Sequence, residues 1–558
     1  LNQSQPILGA GLPETVDRDG AFPRLDEHER GRIAALGTRR AVRPGDCLFA
    51  AGDVPRRFFV IESGVVVIVQ GLGRENRVVA VHGQHRFLGE LATLMGHRHL
   101  LSAVVRDPGE VIEVPVEQLR RVVAEDKPLS DLILRAFIAR RSILIEAGAG
   151  ISVIGSRFSR DTRRLHEFLA RNRIPYQWTD VEQDIGADVL LETLGVQPAD
   201  TPIVIQGNGS ILRNPTNAEL GDALTLSSAG SPPVLSDVVV VGSGPAGLSA
   251  ALYAASEGLD VHTVEAVSSG GQAGTSARIE NYLGFPAGVA GSELAQRAGV
   301  QAAKFGARMT LPAAAIGLTS EGGRHEVRLS NGDVATGRTV VIATGAQYHR
   351  LDVARLEEFE GGGVYYAATQ SEALRCRGDP VAVVGGGNSA GQAAMFLSEH
   401  ASTCRLLIRG ADLRKSMSRY LVDQIEGNDR VEIWTHSHVV ELGGRNELEA
   451  IVIEDARTGE RTDLETRALF IFIGASPHTD WLQGQLATDR AGFLLTGPSL
   501  QGDDLIEWGT QQPQVLETSR PGVFAAGDVR SGSIKRVASA VGDGSMAVLL
   551  IHQRLADL

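Results

Sequence analysis

The sequence predicts a multidomain chain: a small N-terminal β-barrel with helices, a short α/β module, and then two larger α/β domains. Three observations carry this. Short β runs punctuated by Gly, Asp or Pro fill residues 40–115. Two apolar strands run directly into glycine-rich turns near residues 242 and 385, each followed by a helical pattern. Between the halves lies SSAGSPPV, residues 227–234, whose small residues, glycine and two prolines cannot continue a helix.

Bulk properties narrow the class. With 558 residues, the chain has room for roughly three to five domains. Its 43% apolar and 22% charged residues suit packed cores with an ordinary polar surface. A net charge of −13 without a long basic block argues against nucleic acid as the main partner. No apolar run approaches the ~20 residues needed to span a bilayer. The opening LNQSQPILGA lacks a basic segment followed by an apolar core, so no secretory signal is expected there. Three cysteines exclude a disulfide scaffold and favour a cytoplasmic location.

Taken in order, CLFAAG, RFFVIESGVVVIVQ, RVVAVHG, SAVVRDP and VIEVPV read as barrel strands. KPLSDLILRAFIARRSILIEAG then has apolar residues at helical spacing. From residue 149 the pattern becomes strand, helix, strand (GISVIGS, DTRRLHEFLARNR, PYQWTDV). A helix, GADVLLETLG, and the strand TPIVIQG follow. The expected divisions are 1–147, 148–228, 236–346, 347–478 and 479–558.

The first glycine-rich turn follows SDVVVV and reads Gly242-Ser-Gly244-Pro245-Ala246-Gly247. Its first glycine allows a tight turn, its second lets backbone approach a pyrophosphate, and its third lets the helix pack on the strand. The helix start offers free N–H groups and positive potential to phosphates. Glu265 ends the next strand about 20 residues on, where a carboxylate accepts hydrogen bonds from an adenosine ribose. The second turn is Gly385-Gly386-Gly387-Asn388-Ser389-Ala390, with alanine in the third place. Two such Rossmann-like dinucleotide-binding units in one chain suit hydride transfer between a nicotinamide and a flavin. Two shorter signals agree: the strand ending Ala343-Thr344-Gly345, and Gly527-Asp528 after a strand near the chain's end. Asp528 is a candidate for a polyol hydroxyl, and the helix after Lys535 for negative charge on reduced flavin.

Together, the turn at 242–247, GGQAGTSARIENYLGFP (270–286), ATG (343–345), GGGNSA (385–390), and GVFAAGDVR with KRVASA (522–539) resemble the low-molecular-weight thioredoxin reductases, in the family's order. The resemblance covers 236–558. It implies FAD in a domain split between 236–346 and 479–558, with a NAD(P)-binding domain inserted, and a homodimer. It also implies that Gly242, Gly244, Pro245, Ala246, Gly247, Glu265, Gly271, Gln272, Asn281, Thr344, Gly345, Gly527, Asp528, Arg536 and Val537 contact FAD. Gly387, Asn388, Ser389 and Ala390 would contact the nicotinamide cofactor. After the strand RLLI, Arg409, Arg414 and Lys415 stand close together with no acid directly at the strand end, which favours NADPH over NADH. The alternative is a solvated basic helix end.

One departure is chemical. Where the family has Tyr-Cys-Ala-Thr-Cys-Asp, this chain has Tyr366-Ala367-Ala368-Thr369-Gln370-Ser371. Ala367 and Gln370 replace the two cysteines, and neither side chain can run dithiol–disulfide exchange. Residues 149–226 resemble a thioredoxin or glutaredoxin module in which Ser156 and Ser159 hold the Cys-x-x-Cys spacing, and Thr201-Pro202 fits its proline strand. Residues 20–145 resemble a cyclic nucleotide-binding domain. That resemblance implies a ligand pocket at Gly89, Glu90, Leu91, Arg98, His99 and Ser102, with His99 and Arg98 where the phosphate-binding arginine is expected. A cyclic nucleotide, a different ligand and a structural barrel all remain open here.

The expected function is an FAD-dependent NAD(P)H oxidoreductase that passes electrons to an external small-molecule or protein acceptor. Its N-terminal domain would regulate it, with a cyclic nucleotide as candidate effector and no metal. The alternative is a sensor or scaffold that uses FAD and NAD(P) only conformationally.

Overall fold

In the computed structural model, described residues run from 11 to 556, apart from 73–74, 96, 185–186, 188–190, 193, 198–199, 225–234, 277–278, 280–281, 360–361, 367, 369–371, 374–375 and 446. The chain divides into two compact units: 1–232 with 266–268 and 300–314, and 233–265 with 269–299 and 315–558. The linker expected at 227–234 lies outside the described residues, as do Asn281, Ala367 and Gln370.

The first unit opens with an antiparallel sheet in the order Thr38–Val42, Ser102–Pro115, Arg57–Leu72, Glu75–His82. Arg57–Leu72 is one long strand whose register shifts around Ser63 and Val65. Gly64 sits there at φ +90°, and a Cβ would lie 2.6 Å from the Asp107 carbonyl. The bend curves one apolar run around the core. The helix Lys127–Glu146 starts on an Asp126 cap that accepts from the Leu129 amide at 3.2 Å, with proline in its first turn. Its buried face carries Leu129, Ile133, Ala136, Phe137 and Arg140, four of them apolar at helical spacing.

The unit's second sheet has the order Ile211–Arg213, Ile203–Ile205, Ile151–Ile154, Tyr176–Thr179, with only the last pair parallel. The peptide bond Thr201–Pro202, just before Ile203, is cis. Ser159 caps the helix Arg160–Arg171 through the Thr162 amide at 3.3 Å, and Ser156 Oγ donates to Glu182 at 2.8 Å. Half of the helix expected at 186–195 lies outside the described residues.

In the second unit, Ser236–Val241 lies parallel to Val261–Val264 on one side and Val334–Ile342 on the other. Val523–Ala525, from near the chain's end, adds in parallel to the end of Val334–Ile342. A second parallel sheet runs Val364–Tyr365, Ala468–Ile471, Pro380–Val384, Thr403–Leu407, Val431–Trp434. Its central strands are continuous apolar runs, as sheets covered on both faces require. Ala346–Tyr348 and Ala475–Pro477 pair antiparallel where the chain leaves for this second sheet and returns. Among the described residues, no helix is long and apolar enough to cross a membrane.

Candidate functional site

The turn at 242–247 shows why each glycine is needed. Gly242 has φ +101°, and a Cβ there would sit 2.4 Å from the Ala343 carbonyl oxygen. At Gly247 a Cβ would lie 1.9 Å from the Gly242 carbonyl oxygen. These are backbone obstacles, so only glycine lets the helix Pro245–Ser256 approach its strand this closely. Gly244 caps that helix without a side chain, and its nearest neighbour across the turn is Gly271 Cα, 3.9 Å from a built Cβ. The helix N-terminus therefore faces open space with free N–H groups, a ready anion site.

Distant segments converge on this point. The Gly270 amide donates to the Ser243 carbonyl at 2.7 Å, which sets Gly271 against Gly244. A Cβ on Gly527 would meet Ala246 at 2.9 Å, so Gly527 and Asp528 lie beside the first turn of the helix. They are held there by the C-terminal helix Val537–Ala556, whose Gly544 packs on the Ala246 carbonyl and whose Val541 carbonyl accepts from Ser249 Oγ at 2.7 Å. The Gly527 amide donates to Asp543 at 3.0 Å. Burial raises the Asp528 carboxyl above its ordinary range, against the nearby Lys535 ammonium, which lowers it. A carboxyl in this setting readily binds a hydroxyl.

Glu265 follows the second strand and is bonded across the turn. Its carboxylate accepts from the Ser243 amide at 2.7 Å and from Ser243 Oγ at 2.9 Å, which ties the second strand to the turn. Thr344 Oγ1 donates to the His478 carbonyl at 2.8 Å, Gly345 has φ +68°, and Gln272 Nε2 donates to the Ala346 carbonyl. Arg536 is exposed and Val537 half-buried at the start of the last helix. The backbone cradle, the helix N-terminus and Asp528 fit a flavin dinucleotide.

The second turn repeats the logic. A Cβ on Gly385 would lie 2.2 Å from the Phe472 carbonyl, whereas one on Gly387 would meet nothing within 4 Å. Ala390 is buried and Ser389 exposed at the start of the helix Asn388–Ser398. Asn388 Oδ1 accepts from the Ser418 amide at 2.7 Å. Of the expected basic cluster, Arg414 is held by Glu426 at 2.7 Å, with Asp412 at 3.7 Å. Arg409 and Lys415 are exposed.

No cysteine sits as a thiolate. Cys376 and Cys404 are buried, and burial pushes their thiols up to about 11 and about 12. Cys47 is exposed, and partial burial with the Asp53 charge raises its thiol too. Among the described residues no cluster of three or more His, Cys, Asp or Glu side chains is placed to hold a metal ion.

In the N-terminal unit, Gly89, Glu90, Leu91 and His99 line one cavity. Arg98 and Ser102 do not join them. Arg98 Nη1 donates to the Gly52 carbonyl at 2.7 Å, and Ser102 Oγ accepts from the Ala51 amide at 2.9 Å. Glu90 is paired with Arg140 at 2.7 Å, a residue the sequence reading passed over. An arginine extending the apolar stripe of Lys127–Glu146 was the available signal. The His99 ring stacks on Phe49 at 4.0 Å, and burial drops its pKa to about 4. His97 is likewise lowered to about 4, chiefly by burial.

These imidazoles give an acid-stability prediction. Unfolded, each takes up a proton near pH 6.5; folded, each resists protonation until about pH 4. Their contribution is complete above about pH 6.5 and is lost as pH falls toward 4. The buried His99 alone accounts for about 2–3 kcal/mol across that window. Urea midpoints of the N-terminal unit's transition should fall between about pH 7 and about pH 5, less steeply in His99→Phe.

Comparisons with known proteins bear on these sites. Residues 236–544 match the family described as Pyridine nucleotide-disulphide oxidoreductase, and residues 39–126 match the Cyclic nucleotide-binding domain. The chain is 32% identical over 368 residues to NADPH-dependent thioredoxin reductase 3 of Arabidopsis thaliana, covering 63% of this chain and 66% of that protein. It is 33% identical over 330 residues to thioredoxin reductase 1 of Saccharomyces cerevisiae, covering 58% of this chain and 98% of that one. The structure of Lactococcus lactis thioredoxin reductase superposes with a TM-score of 0.52 at 27% identity, over 58% of this chain and all of that one.

Proposed function

Because the chain belongs to the pyridine nucleotide-disulphide oxidoreductase family, we propose that it is an FAD-dependent NAD(P)H oxidoreductase of thioredoxin reductase-like build that delivers electrons to an external acceptor. The observation that carries this is the convergence of Gly242–Gly247, Gly271 and Gly527–Asp528 on one helix N-terminus, with Gly242 and Gly247 at backbone clearances only glycine satisfies. The flavin, when bound, accepts hydride from the nicotinamide and releases the electrons onward. The chain's own residues do the rest. The start of Pro245–Ser256 neutralises pyrophosphate charge, and Asp528 holds a ribityl hydroxyl. At the start of the last helix the Arg536 amide donates to the Ile534 carbonyl at 2.7 Å, so Val537 would be the residue that offers an N–H to the flavin ring.

The sulfur relay of thioredoxin reductases is absent from this reading. Ala367 and Gln370 stand at its positions, and the buried thiols of Cys376 and Cys404 resist ionisation. The acceptor is then a small molecule or another redox protein that meets reduced flavin directly. The thioredoxin-like reading of 148–228 is supported by its strand order. With Ser156 bonded to Glu182 and Ser159 capping a helix, the module's role is docking or assembly rather than thiol exchange. The barrel is the regulatory input. We further propose a homodimer.

NADPH is the preferred donor. Arg409, exposed directly after the strand end, meets the 2′-phosphate, while Arg414 is already engaged by carboxylates. Anaerobic mixing tests the whole reading: NADPH should bleach the flavin, and faster than NADH. Arg409→Ala should raise the KM for NADPH about tenfold and leave NADH unchanged. If neither nucleotide bleaches the flavin within minutes, the enzyme reading fails and the sensor or scaffold reading replaces it.

A further inference from the structure

Within the N-terminal unit lies a cavity of about 110 Å³. Phe22, Phe49, Ala92, Leu101 and Phe137 form much of its apolar wall. We propose that it binds a small hydroxyl-bearing aromatic ring, a phenol-class ligand, in preference to a cyclic nucleotide. This rests on reading the barrel as the chain's regulatory input, and it names the class of that input.

A void of about 150 Å³ lined by apolar side chains takes up benzene. A cavity of 110 Å³ is therefore on the scale of one ring, not of a base, a sugar and a phosphate together.

The wall also carries charge. Arg140 and Glu90 are 5% and 1% exposed. Arg140 Nη1 donates to Glu90 Oε1 at 2.7 Å and to the Phe87 carbonyl at 3.0 Å, and Nε donates to the Ala21 carbonyl at 2.5 Å. Among the described residues, Arg140 Nη2 and Glu90 Oε2 have no hydrogen-bond partner. One buried ion pair thus leaves a guanidinium NH2 and a carboxylate oxygen unused, and such groups are costly unless satisfied. A hydroxyl suits both kinds of group, because it donates to a carboxylate and accepts from a guanidinium. A carbonyl answers only Arg140, and an ammonium only Glu90. A phosphate would set a second anion against the Glu90 carboxylate.

The side chains expected to anchor a phosphate are engaged elsewhere. Arg98 and Ser102 make their bonds to Gly52 and Ala51, and the His99 ring stacks on Phe49. Arg141, also in the wall, already donates to the carbonyls of Arg173 and Asn172 at 3.2 and 2.8 Å. Ile174, Pro175 and Leu224 complete the wall from the neighbouring α/β module. A bound ring therefore contacts both halves of the unit.

The test is calorimetric titration of the full flavin-loaded chain with phenol, toluene and cyclic AMP. Phenol should bind saturably at one site per chain, toluene at least about tenfold more weakly, and cyclic AMP not at all. Ala92→Leu, which fills the void and keeps the ion pair, should lose phenol binding. Glu90→Gln should weaken phenol about tenfold and leave toluene unchanged. The proposal is overturned if phenol fails to saturate, if toluene matches phenol, if cyclic AMP binds more tightly than phenol, or if Ala92→Leu still binds. Heat of binding does not depend on NAD(P)H oxidation, so failure here leaves the flavin reading standing, and failure of that reading leaves this one testable.

Discussion

Gly247→Ala is expected to yield protein that purifies without flavin. The added methyl would sit 1.9 Å from the Gly242 carbonyl oxygen and 2.9 Å from its carbon. Neither is a flexible side-chain tip, so strand and helix must part. Overpacking of this kind costs about 1–3 kcal/mol or more. The displacement falls on the first turn of Pro245–Ser256, whose amides would hold the pyrophosphate. A flavin affinity lower by at least about 100-fold follows, equivalent to about 3 kcal/mol. The measurement is the flavin-to-protein absorbance ratio after gel filtration, with and without added FAD. Gly387→Ala is the matched control. It stands in the second turn at the place Gly244 holds in the first, its built Cβ meets nothing within 4 Å, and its φ is −96°. That variant should keep its flavin. Full flavin content in Gly247→Ala would mean that helix and strand are not held at this distance, and the dinucleotide cradle would have to be placed elsewhere.

How much of this was legible in the residues alone varies with the kind of signal. The turns at 242 and 385 were legible because the spacing of glycines reports backbone clearance, which sequence records directly. The meeting of Gly527 with Ala246 was implied only by resemblance, since nothing local joins residues 281 positions apart. The barrel strands were legible from their turns, although RFFVIESGVVVIVQ forms a single strand bent at Gly64. Side-chain partners were the illegible part. Glu265 reads as a ribose ligand from its position, and its bonds to Ser243 across the turn come in addition to that reading. Arg98 reads as a phosphate ligand beside His99, yet it reaches the Gly52 carbonyl. Pairing depends on which backbone groups need a partner in three dimensions, and motif spacing does not encode that.

Glu517 and Arg554 carry the second large expectation, and neither stands in a motif. Glu517 is fully buried and Arg554 is 8% exposed. The carboxylate accepts four hydrogen bonds. Arg554 Nε reaches Oε1 at 2.9 Å and Nη2 reaches Oε2 at 3.1 Å, while the amides of Gly522 and Gln514 add 3.2 and 2.9 Å. The guanidinium also lies over the Trp508 ring at 5.0 Å. This fork ties the far end of Val537–Ala556 to the segment leading into Val523–Ala525. It thereby fixes the helix whose other end stands beside Asp528. Arg554→Ala would leave a buried carboxylate with only neutral donors, and breaking such a pair costs about 3–5 kcal/mol. The urea midpoint of the C-terminal unit should fall accordingly, and flavin should be released earlier in the titration. Replacing both partners with apolar residues, Glu517→Leu with Arg554→Met, should recover much of the loss, because no charge is then left buried and unpaired. A loss below about 1 kcal/mol in Arg554→Ala would indicate that water reaches Glu517 and that the helix is held by its Gly544 and Ser249 contacts alone.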